Sequence, residues 1–323
     1  MRGPALTNPP QNTSLHDALQ EYVKTVVVII HTTEYEEWLV VQENMDAPKL
    51  ESVKEKQERP LILTLNADTE LVLGEFCGYS AALITALSPT EFTQFEEALP
   101  CLSSARCILS IGALFAITKK NQKLCDVVVS DCIDGIHEVN KPGDTKLVKF
   151  GLHDTRFTPV SQSLINVFQP DNSWEGFDCT KQRGRKSKVS TGIIISMPYE
   201  IFAKCYDFMD KVLELPCNES TYLGLEMAGT PILQIIDRLK AKNNHKMDVI
   251  LIKGIRAYVG DLRHDKDIWK WQITACMAAI DYAKHKLEHS SEMKKYLTGK
   301  FISIIVYLSD HLSIRNGGSV ETV

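Results

Sequence analysis

The sequence predicts an α/β fold with three layers, in which a mixed, largely parallel central β-sheet is covered by helices on both faces. Short apolar, β-branched runs recur along the 323 residues and alternate with longer segments of helical periodicity. The runs are almost continuously apolar, which is typical of strands that are buried on both faces. Helices packed on both sides of a sheet can bury such strands, and this predicts the three-layer arrangement.

Eight apolar runs predict the strands of this sheet. They are VVVII (26–30), LILTL (61–65), LVLGEF (71–76), AALITAL (81–87), CILSIGAL (107–114), DVVVSD (126–131), GIIISMP (192–198) and DVILIKGI (248–255). Each run is four to eight residues of mostly β-branched or long aliphatic side chains, which favours a strand over a helix.

Segments whose apolar residues repeat every 3.6 positions predict the helices. They cover residues 14–26, 89–99, 199–215, 230–242 and 268–297. Thr230 can cap the fourth helix, and Pro231 fits its first turn, where the missing N–H costs nothing.

Composition and charge indicate a globular protein of the cytoplasm. Apolar residues make up 44% and charged residues 24% of the chain, as in ordinary soluble domains. The net charge of −5 argues against general binding of nucleic acid or of membrane surfaces, because both are negatively charged. No segment reaches the ~18 apolar residues of a membrane span, and MRGPALTNPPQNTS at the N-terminus lacks the apolar core of a signal peptide.

The nine cysteines are scattered without a C-x-x-C pair, which favours reduced thiols. Cys125, Cys132 and His137 could together suggest a metal site. The run DVVVSD between the two cysteines is a predicted strand, however, so we predict no metal site.

A polar stretch from 169 to 192 is predicted to be a long loop. Its five cations are Lys181, Arg183, Arg185, Lys186 and Lys188. They could bind a phosphate-rich partner or form a nuclear-localisation signal. A solvated surface loop is the alternative, and the acidic net charge favours it.

In open α/β sheets, ligands bind at the carboxyl ends of the strands. The loops at these ends contain no G-x-G-x-x-G, P-loop, G-x-S-x-G or H-E-x-x-H pattern. The loop after the first strand contains Glu34, Glu36 and Glu37, any of which could act as a general base. Acids at the start of a helix are also favoured by its dipole alone.

Three short motifs follow one another in a recognisable order along the chain. They are Leu225-Glu226-Met227, Lys253-Gly254-Ile255 and Trp271-Gln272-x-x-Ala275. With the strands that precede them, they resemble the purine nucleoside and uridine phosphorylase superfamily, especially its methylthioadenosine/adenosylhomocysteine nucleosidase-like branch. The resemblance covers about 26–287, and it implies an N-terminal extension over 1–25 and a C-terminal helical extension and tail over 288–323.

The family's reaction is cleavage of an N-glycosidic bond, with phosphate or water as the nucleophile. In typical members the ribose-binding motif is Glu-Met-Glu, but here it is Glu226-Met227-Ala228. The aspartate that protonates the leaving base in typical members is matched by Ala257. Loss of a positioned general acid costs about 10²- to 10⁴-fold in rate, so we expect a catalytically degenerate protein that binds a nucleoside-type ligand or serves in protein assembly.

The family's glycine-rich turns are altered as well. The glycine after the first strand is matched by His31, a second turn by 86–89 and the multi-glycine turn by 112–115. Side chains at these positions would occupy space where phosphate or water approaches the backbone.

Two alternatives to a degenerate protein stay open. One is an active N-ribosyl phosphorylase or nucleosidase with displaced catalytic residues, for which Asp261 and Glu36 are the candidates and phosphate a co-substrate. The other is an unrelated α/β protein. The candidate ligand-binding residues are Glu226, Met227, Arg256, Arg156 and Phe115. We predict no cofactor, and the resemblance implies a homo-oligomer; the Val320–Val323 tail could enter a PDZ-type groove.

Overall fold

The computed structural model of the chain describes residues 15–50, 57–66, 69–117, 121–135, 138–139, 149–150, 157–179, 185–197, 222–243, 246–259 and 271–297. Several predicted features lie outside the described residues: the helix over 199–215, the tail after 297, Arg156, Asp261, His137, Lys181 and Arg183.

The described α-helices are α1 (Leu15–Val23), α2 (Tyr35–Glu43), α3 (Pro89–Ala98), α4 (Gln162–Phe168), α5 (Gly229–Asn243) and α6 (Gln272–His289). A 3₁₀ helix spans Leu99–Leu102. The predicted continuous helix over 268–297 is wrong, because Ser290 is extended at the end of α6 and a separate helical segment covers 291–297. The Ser290 Oγ accepts the backbone N–H of Met293 at 3.1 Å, which is how an N-cap starts a new helix.

The described strands are β1 (Val28–Thr32), β2 (Leu61–Asn66), β3 (Thr69–Phe76), β4 (Tyr79–Thr85), β5 (Cys107–Ala116), β6 (Val127–Gly135), β7 (Glu138–Val139), β8 (Lys149–Phe150), β9 (Phe157–Pro159), β10 (Asp178–Cys179), β11 (Arg185–Lys186), β12 (Val189–Ser196), β13 (Tyr222–Glu226) and β14 (Asp248–Tyr258). All eight predicted strands are present, with ends that shift by a few residues. The fourth predicted strand ends early because Ser88 caps α3: its Oγ accepts the Glu91 N–H, and the Glu91 carboxylate accepts the Ser88 N–H.

Ten strands form one mixed, largely parallel sheet in the order β13-β12-β6-β14-β5-β1-β4-β3-β2, with β9 paired to β6. Strand β1 lies parallel to both β4 and β5, and β14 lies parallel to β5 but antiparallel to β6. A short antiparallel pairing also joins β13 to the end of β5. Because of this pairing, the sheet curls so that the ends of β5, β13 and β14 face one another.

Two separate apolar cores cover the two faces of the sheet, and this confirms the three-layer α/β prediction. One core contains Leu19 of α1, Phe95 of α3 and Ile232 of α5. The other contains Val41 of α2, Leu164 of α4 and Tyr282 of α6. Alternate residues of the central strands supply both cores.

Helix α6 lies directly on β14. A Cβ added to Gly254 would meet the backbone oxygen of Ala275 at 2.0 Å, so any side chain there would push the helix away from the strand. This close packing explains the glycine of the Lys253-Gly254-Ile255 motif and fixes the next residues of β14 against the start of α6.

Candidate functional site

The three motifs of the sequence resemblance converge at one end of the sheet. Phe115, at the end of β5, is paired with Leu225 of β13 on one side and with Ala257 of β14 on the other. The strand pairing therefore places the Glu226-Met227-Ala228 motif and Ala257 on opposite sides of the Phe115 backbone.

The two positions where carboxylates are expected carry buried methyl groups. Ala228 has 0% of its surface exposed and Ala257 has 6%. A methyl group neither donates a proton nor accepts the hydrogen bonds of ribose hydroxyls. Met227, between the two halves of the ribose motif, is also buried.

The remaining carboxylate of the ribose motif is used by the protein itself. Glu226 Oε2 accepts the N–H of Ala228 at 2.9 Å, and its Oε1 accepts the N–H of Gly229 at 2.8 Å. These are the first N–H groups of α5, which have no partner within the helix. The Glu226 side chain therefore stabilises a helix start, where the dipole favours an anion.

A buried lysine lies beside this glutamate. The Nζ of Lys253 is 4.0 Å from Glu226 Oε2, and the Lys253 side chain is completely enclosed. Among the described residues its Nζ has no hydrogen-bond partner. The ammonium group therefore depends on the charge of Glu226 for compensation, because an unpaired buried charge is very costly.

Arg256 fills the space next to Ala257. Its guanidinium carbon lies 4.3 Å from the centroid of the Phe115 ring, and its Nη1 donates a hydrogen bond to Oε1 of Gln272 at the start of α6. Only 2% of the Arg256 side chain is exposed. Burial lowers the pKa of Arg256, whereas the carboxylates of Glu37 and Glu34 act in the opposite direction.

The three acids that follow β1 lie in three different environments. Glu37 is buried, and its carboxylate accepts hydrogen bonds from the N–H of Ala113 at 2.7 Å and from the Oγ1 and N–H of Thr33 at 2.9 and 3.1 Å. The catalytic candidate Glu36 is exposed on α2 instead, so the structure brings Glu37 and not Glu36 to the strand ends. A Cβ on Gly112 would lie 2.5 Å from Glu37 Oε2, which shows how closely this carboxylate covers β5.

Glu34 is the acid of this turn that lies beside Arg256 and keeps partial access to solvent. Its Oε1 lies 3.6 Å from Arg256 Nη1, and 21% of its side chain is exposed. Burial raises the pKa of the Glu34 carboxyl, and the nearby Arg256 partly offsets this rise. Glu34 is thus a protonatable group at the rim of the site.

His31, which the resemblance matches to a glycine after the first strand, is a buried, neutral side chain. Its Nε2 donates to the carbonyl oxygen of Ala86 at 3.0 Å, which leaves Nδ1 to accept from the Ser110 hydroxyl at 3.2 Å. The ring also stacks on Phe92, with 5.9 Å between the ring centroids. Burial and the positive charge of Lys253 lower the pKa of His31 to about 3.

The partners that enclose Arg256 cannot be predicted from the sequence. Gln272 belongs to a motif of the resemblance, and Glu34 is one acid among three in its turn. No local pattern pairs residues this far apart in the chain. Of the predicted ligand-binding residues, Arg256 and Phe115 are in contact, and Glu226 and Met227 directly follow Leu225, the strand partner of Phe115. Arg156 lies outside the described part of the chain.

Within the described ranges, no group of three His, Cys, Asp or Glu side chains could hold a metal ion. No helix in these ranges is long and apolar enough to cross a membrane.

Solved structures of known proteins share this arrangement of strands and helices. A protein from Borrelia burgdorferi described as a 5′-methylthioadenosine/S-adenosylhomocysteine nucleosidase, bound to adenine, aligns over 81% of this chain and 98% of its own, with a TM-score of 0.56 and 13% identity. The chain has a nucleoside phosphorylase-like fold. The S-adenosylhomocysteine nucleosidase from Streptococcus pyogenes, in complex with 5-methylthiotubericidin, matches this fold at a TM-score of 0.56 and 14% identity, over 82% of this chain and 97% of its own. Futalosine hydrolase of Helicobacter pylori matches it at 0.54 and 12%, over 82% and 99%.

Sequence comparison finds a relative that matches only part of the chain. No protein-family model matches the chain. The Death domain-containing ATP nucleosidase of Amphimedon queenslandica is 29% identical over an alignment of 199 residues, which covers 56% of this chain and 33% of that protein. The chain therefore spans about a third of the length of this curated relative.

Proposed function

We propose that this chain is a catalytically degenerate protein of the nucleoside phosphorylase superfamily, which binds a nucleoside-type ligand or serves in protein assembly without cleaving a glycosidic bond. One observation carries the proposal. The positions that the resemblance assigns to the general acid and to the ribose-binding carboxylate are the buried methyl groups of Ala257 and Ala228.

The chemistry explains why these two losses matter. Cleavage leaves negative charge on the departing base and positive charge on the sugar, and catalysis needs groups positioned against both. Glu226 cannot replace the lost ribose-binding carboxylate without giving up the two N–H groups at the start of α5. Arg256 and Phe115 lie packed together beside Ala257, so an acid from elsewhere would have to displace them.

A nucleoside or nucleotide is the ligand class that the fold supports best. Two of the solved structures with this fold contain adenine or a methylthio-nucleoside analogue. In this chain, the buried ammonium of Lys253, in the middle of β14, has Glu226 at the end of β13 as its counter-charge. An acceptor group of a ligand would give Lys253 the hydrogen bond that the described residues do not provide. The homo-oligomer and the cytoplasmic location stay predictions.

A thermal-shift titration tests the ligand-binding arm of the proposal. Adenine, adenosine, methylthioadenosine and ATP are added separately to the purified chain, and each mixture is then analysed by chromatography for free base. We expect stabilisation by at least one ligand, about 2.7 kcal/mol at 100 times its dissociation constant, with no base released from the nucleosides. A Lys253→Met variant should lose the shift. The control variant Lys24→Met, which breaks the exposed ion pair between Lys24 and Glu21, should keep it.

The second candidate is an active nucleosidase with displaced catalytic residues, and Glu34 favours it. This carboxyl is partly exposed, has a raised pKa and lies at the strand ends, as a general acid requires. The curated relative from Amphimedon queenslandica is an ATP nucleosidase by name. If the wild type releases base, Glu34→Gln should abolish the release and Glu36→Gln, on the exposed face of α2, should not.

A further inference from the structure

Two buried cysteines meet at a place that the candidate site does not use. The Sγ atoms of Cys125 and Cys179 lie 3.0 Å apart, although 54 positions separate the two residues in the chain. Both are free thiols and both are buried. A disulfide bond needs the sulfurs at about 2.05 Å, so an approach of only about an ångström separates this dithiol from a covalent bond.

The backbone of Cys125 adopts a conformation that is uncommon for residues other than glycine. Its φ angle is 68°, in the left-handed region that favours glycine and is costly for other residues. The structure therefore keeps a non-glycine residue in a costly backbone conformation at the position from which its Sγ reaches Cys179.

The two cysteines belong to segments that Arg185, the strand partner of Cys179, already joins: it donates a hydrogen bond to the carbonyl oxygen of Leu124 and forms an ion pair with Asp126. Cys179 ends β10, which pairs with β11 in a two-stranded ribbon of four residues. On the other side, the N–H of Cys125 donates to the carbonyl oxygen of Ile255 at 2.7 Å, one residue before Arg256. A bond between the sulfurs would therefore tie the ribbon to the end of β14 and to the candidate site.

We propose that Cys125 and Cys179 form a redox modification site, in which a hydroperoxide converts the dithiol into a disulfide that staples the β10–β11 ribbon to the β14 strand end. The inference is independent of the proposed ligand, because it requires only the thiol pair.

The chemistry balances with hydrogen peroxide as the oxidant. The Cys179 thiolate attacks one peroxide oxygen, the O–O bond breaks, and the second oxygen leaves as water after taking a proton; Cys179 is then a sulfenic acid. The Cys125 sulfur attacks the sulfenic sulfur, the S–O bond breaks, and the hydroxyl leaves as a second water with the Cys125 proton. Two thiols have lost two electrons, and the peroxide has gained them.

Burial makes the oxidation of this thiol pair slow. It raises the pKa of Cys125, and the neighbouring Cys179 thiol raises it further, so little reactive thiolate exists while the segments are packed. Asp178, next to Cys179, is exposed. We assign the attacking role to Cys179, because it lies beside this exposed residue in a two-residue strand, whereas the backbone of Cys125 is hydrogen-bonded to Ile255.

Peptide mapping tests the proposal on the wild-type chain. The reduced protein is treated with hydrogen peroxide, remaining thiols are alkylated, and tryptic peptides are analysed by mass spectrometry without reduction. Cys125 lies in the tryptic peptide 124–146 and Cys179 in 157–181. We expect these two peptides to be linked, with two hydrogens fewer than their sum, and the link to disappear after reduction.

Controls separate this pair from other thiols. Cys132 shares the peptide 124–146, so the Cys132→Ser variant should keep the link and the Cys179→Ser variant should lose it. Because the disulfide closes a long loop, oxidation should raise the melting temperature of the wild type by on the order of 5 °C, reversibly, and of Cys179→Ser by none. The proposal is overturned if both thiols remain alkylatable while the exposed Cys101 is oxidised, or if the link runs through Cys132.

Discussion

The guanidinium of Arg256 lies over the ring of Phe115, 4.3 Å from its centroid. Phe115 is also the strand partner of Ala257, so this contact lies at the position where the resemblance places a proton donor. A cation held against an aromatic face, with Glu34 and Gln272 around it, is a packed structural interaction. It accounts for the burial of Arg256, and it leaves the end of β14 without a free acid among the described residues.

Removing the Arg256 charge should destabilise the protein strongly. Arg256→Met keeps much of the side-chain volume but leaves Glu34 without its cation, and we expect a loss of about 2–4 kcal/mol in the free energy of unfolding. Urea unfolding measures it. The matched control is Arg238→Met, which breaks the more exposed Arg238–Glu96 pair and should cost less than about 1 kcal/mol. Equal losses in the two variants would contradict the role assigned to Arg256.

Glu226 and Lys253 should be energetically coupled. Glu226→Gln removes the charge opposite the buried Lys253, so we expect a loss of about 3 kcal/mol. The double variant with Lys253→Met should be less destabilised than the sum of the single variants, with a coupling energy above about 1 kcal/mol. A double-mutant cycle by chemical unfolding measures this. The exposed Glu21–Lys24 pair serves as the control cycle and should show almost none; additivity at Glu226 and Lys253 would refute the pairing.

The buried His31 should make stability depend on pH. Its pKa is lowered from 6.5 to about 3 by burial, so between these values the unfolded chain binds a proton that the folded chain does not. The free energy of unfolding should therefore be highest above pH 6.5 and fall as the pH is lowered towards 3, by up to about 1.4 kcal/mol per pH unit.

Unfolding at a series of pH values measures the His31 contribution. The His31→Gln variant should have a shallower pH dependence than the wild type over this window. His16 lies exposed on α1, and His16→Gln should leave the dependence unchanged. If His31→Gln and the wild type show parallel curves, the buried neutral histidine is not the cause.

Much of the fold could be predicted from local sequence. The strands are almost continuous apolar runs, and Ser88 with Pro89 and Glu91 marks a helix start by local hydrogen bonds alone. Strand β13 was missed as a strand, because it has five residues, contains Gly224 and ends in the charged Glu226. Its conformation is imposed by pairing with β12 and β5, which no short window contains.

The candidate site was predictable only in part. The resemblance identified Ala228 and Ala257, because sequence motifs follow one another in a fixed order. The choice between Glu36 and Glu37 depended on the phase of α2: neighbouring helical residues point about 100° apart, so an error of one position exchanges a buried carboxylate for an exposed one. The hydrogen bonds of His31 to Ser110 and Ala86 join β1 to β5 and to the residue after β4, and only the folded sheet reveals them.

The most direct test of the central claim is a base-release assay on the purified chain. Adenosine, inosine, uridine, methylthioadenosine and ATP are each incubated with it, with and without phosphate, beside an active nucleosidase as a positive control. The account predicts no free base above the protein-free blank with any substrate. Base release that increases with protein concentration and is abolished by Glu34→Gln or Asp261→Ala would contradict it.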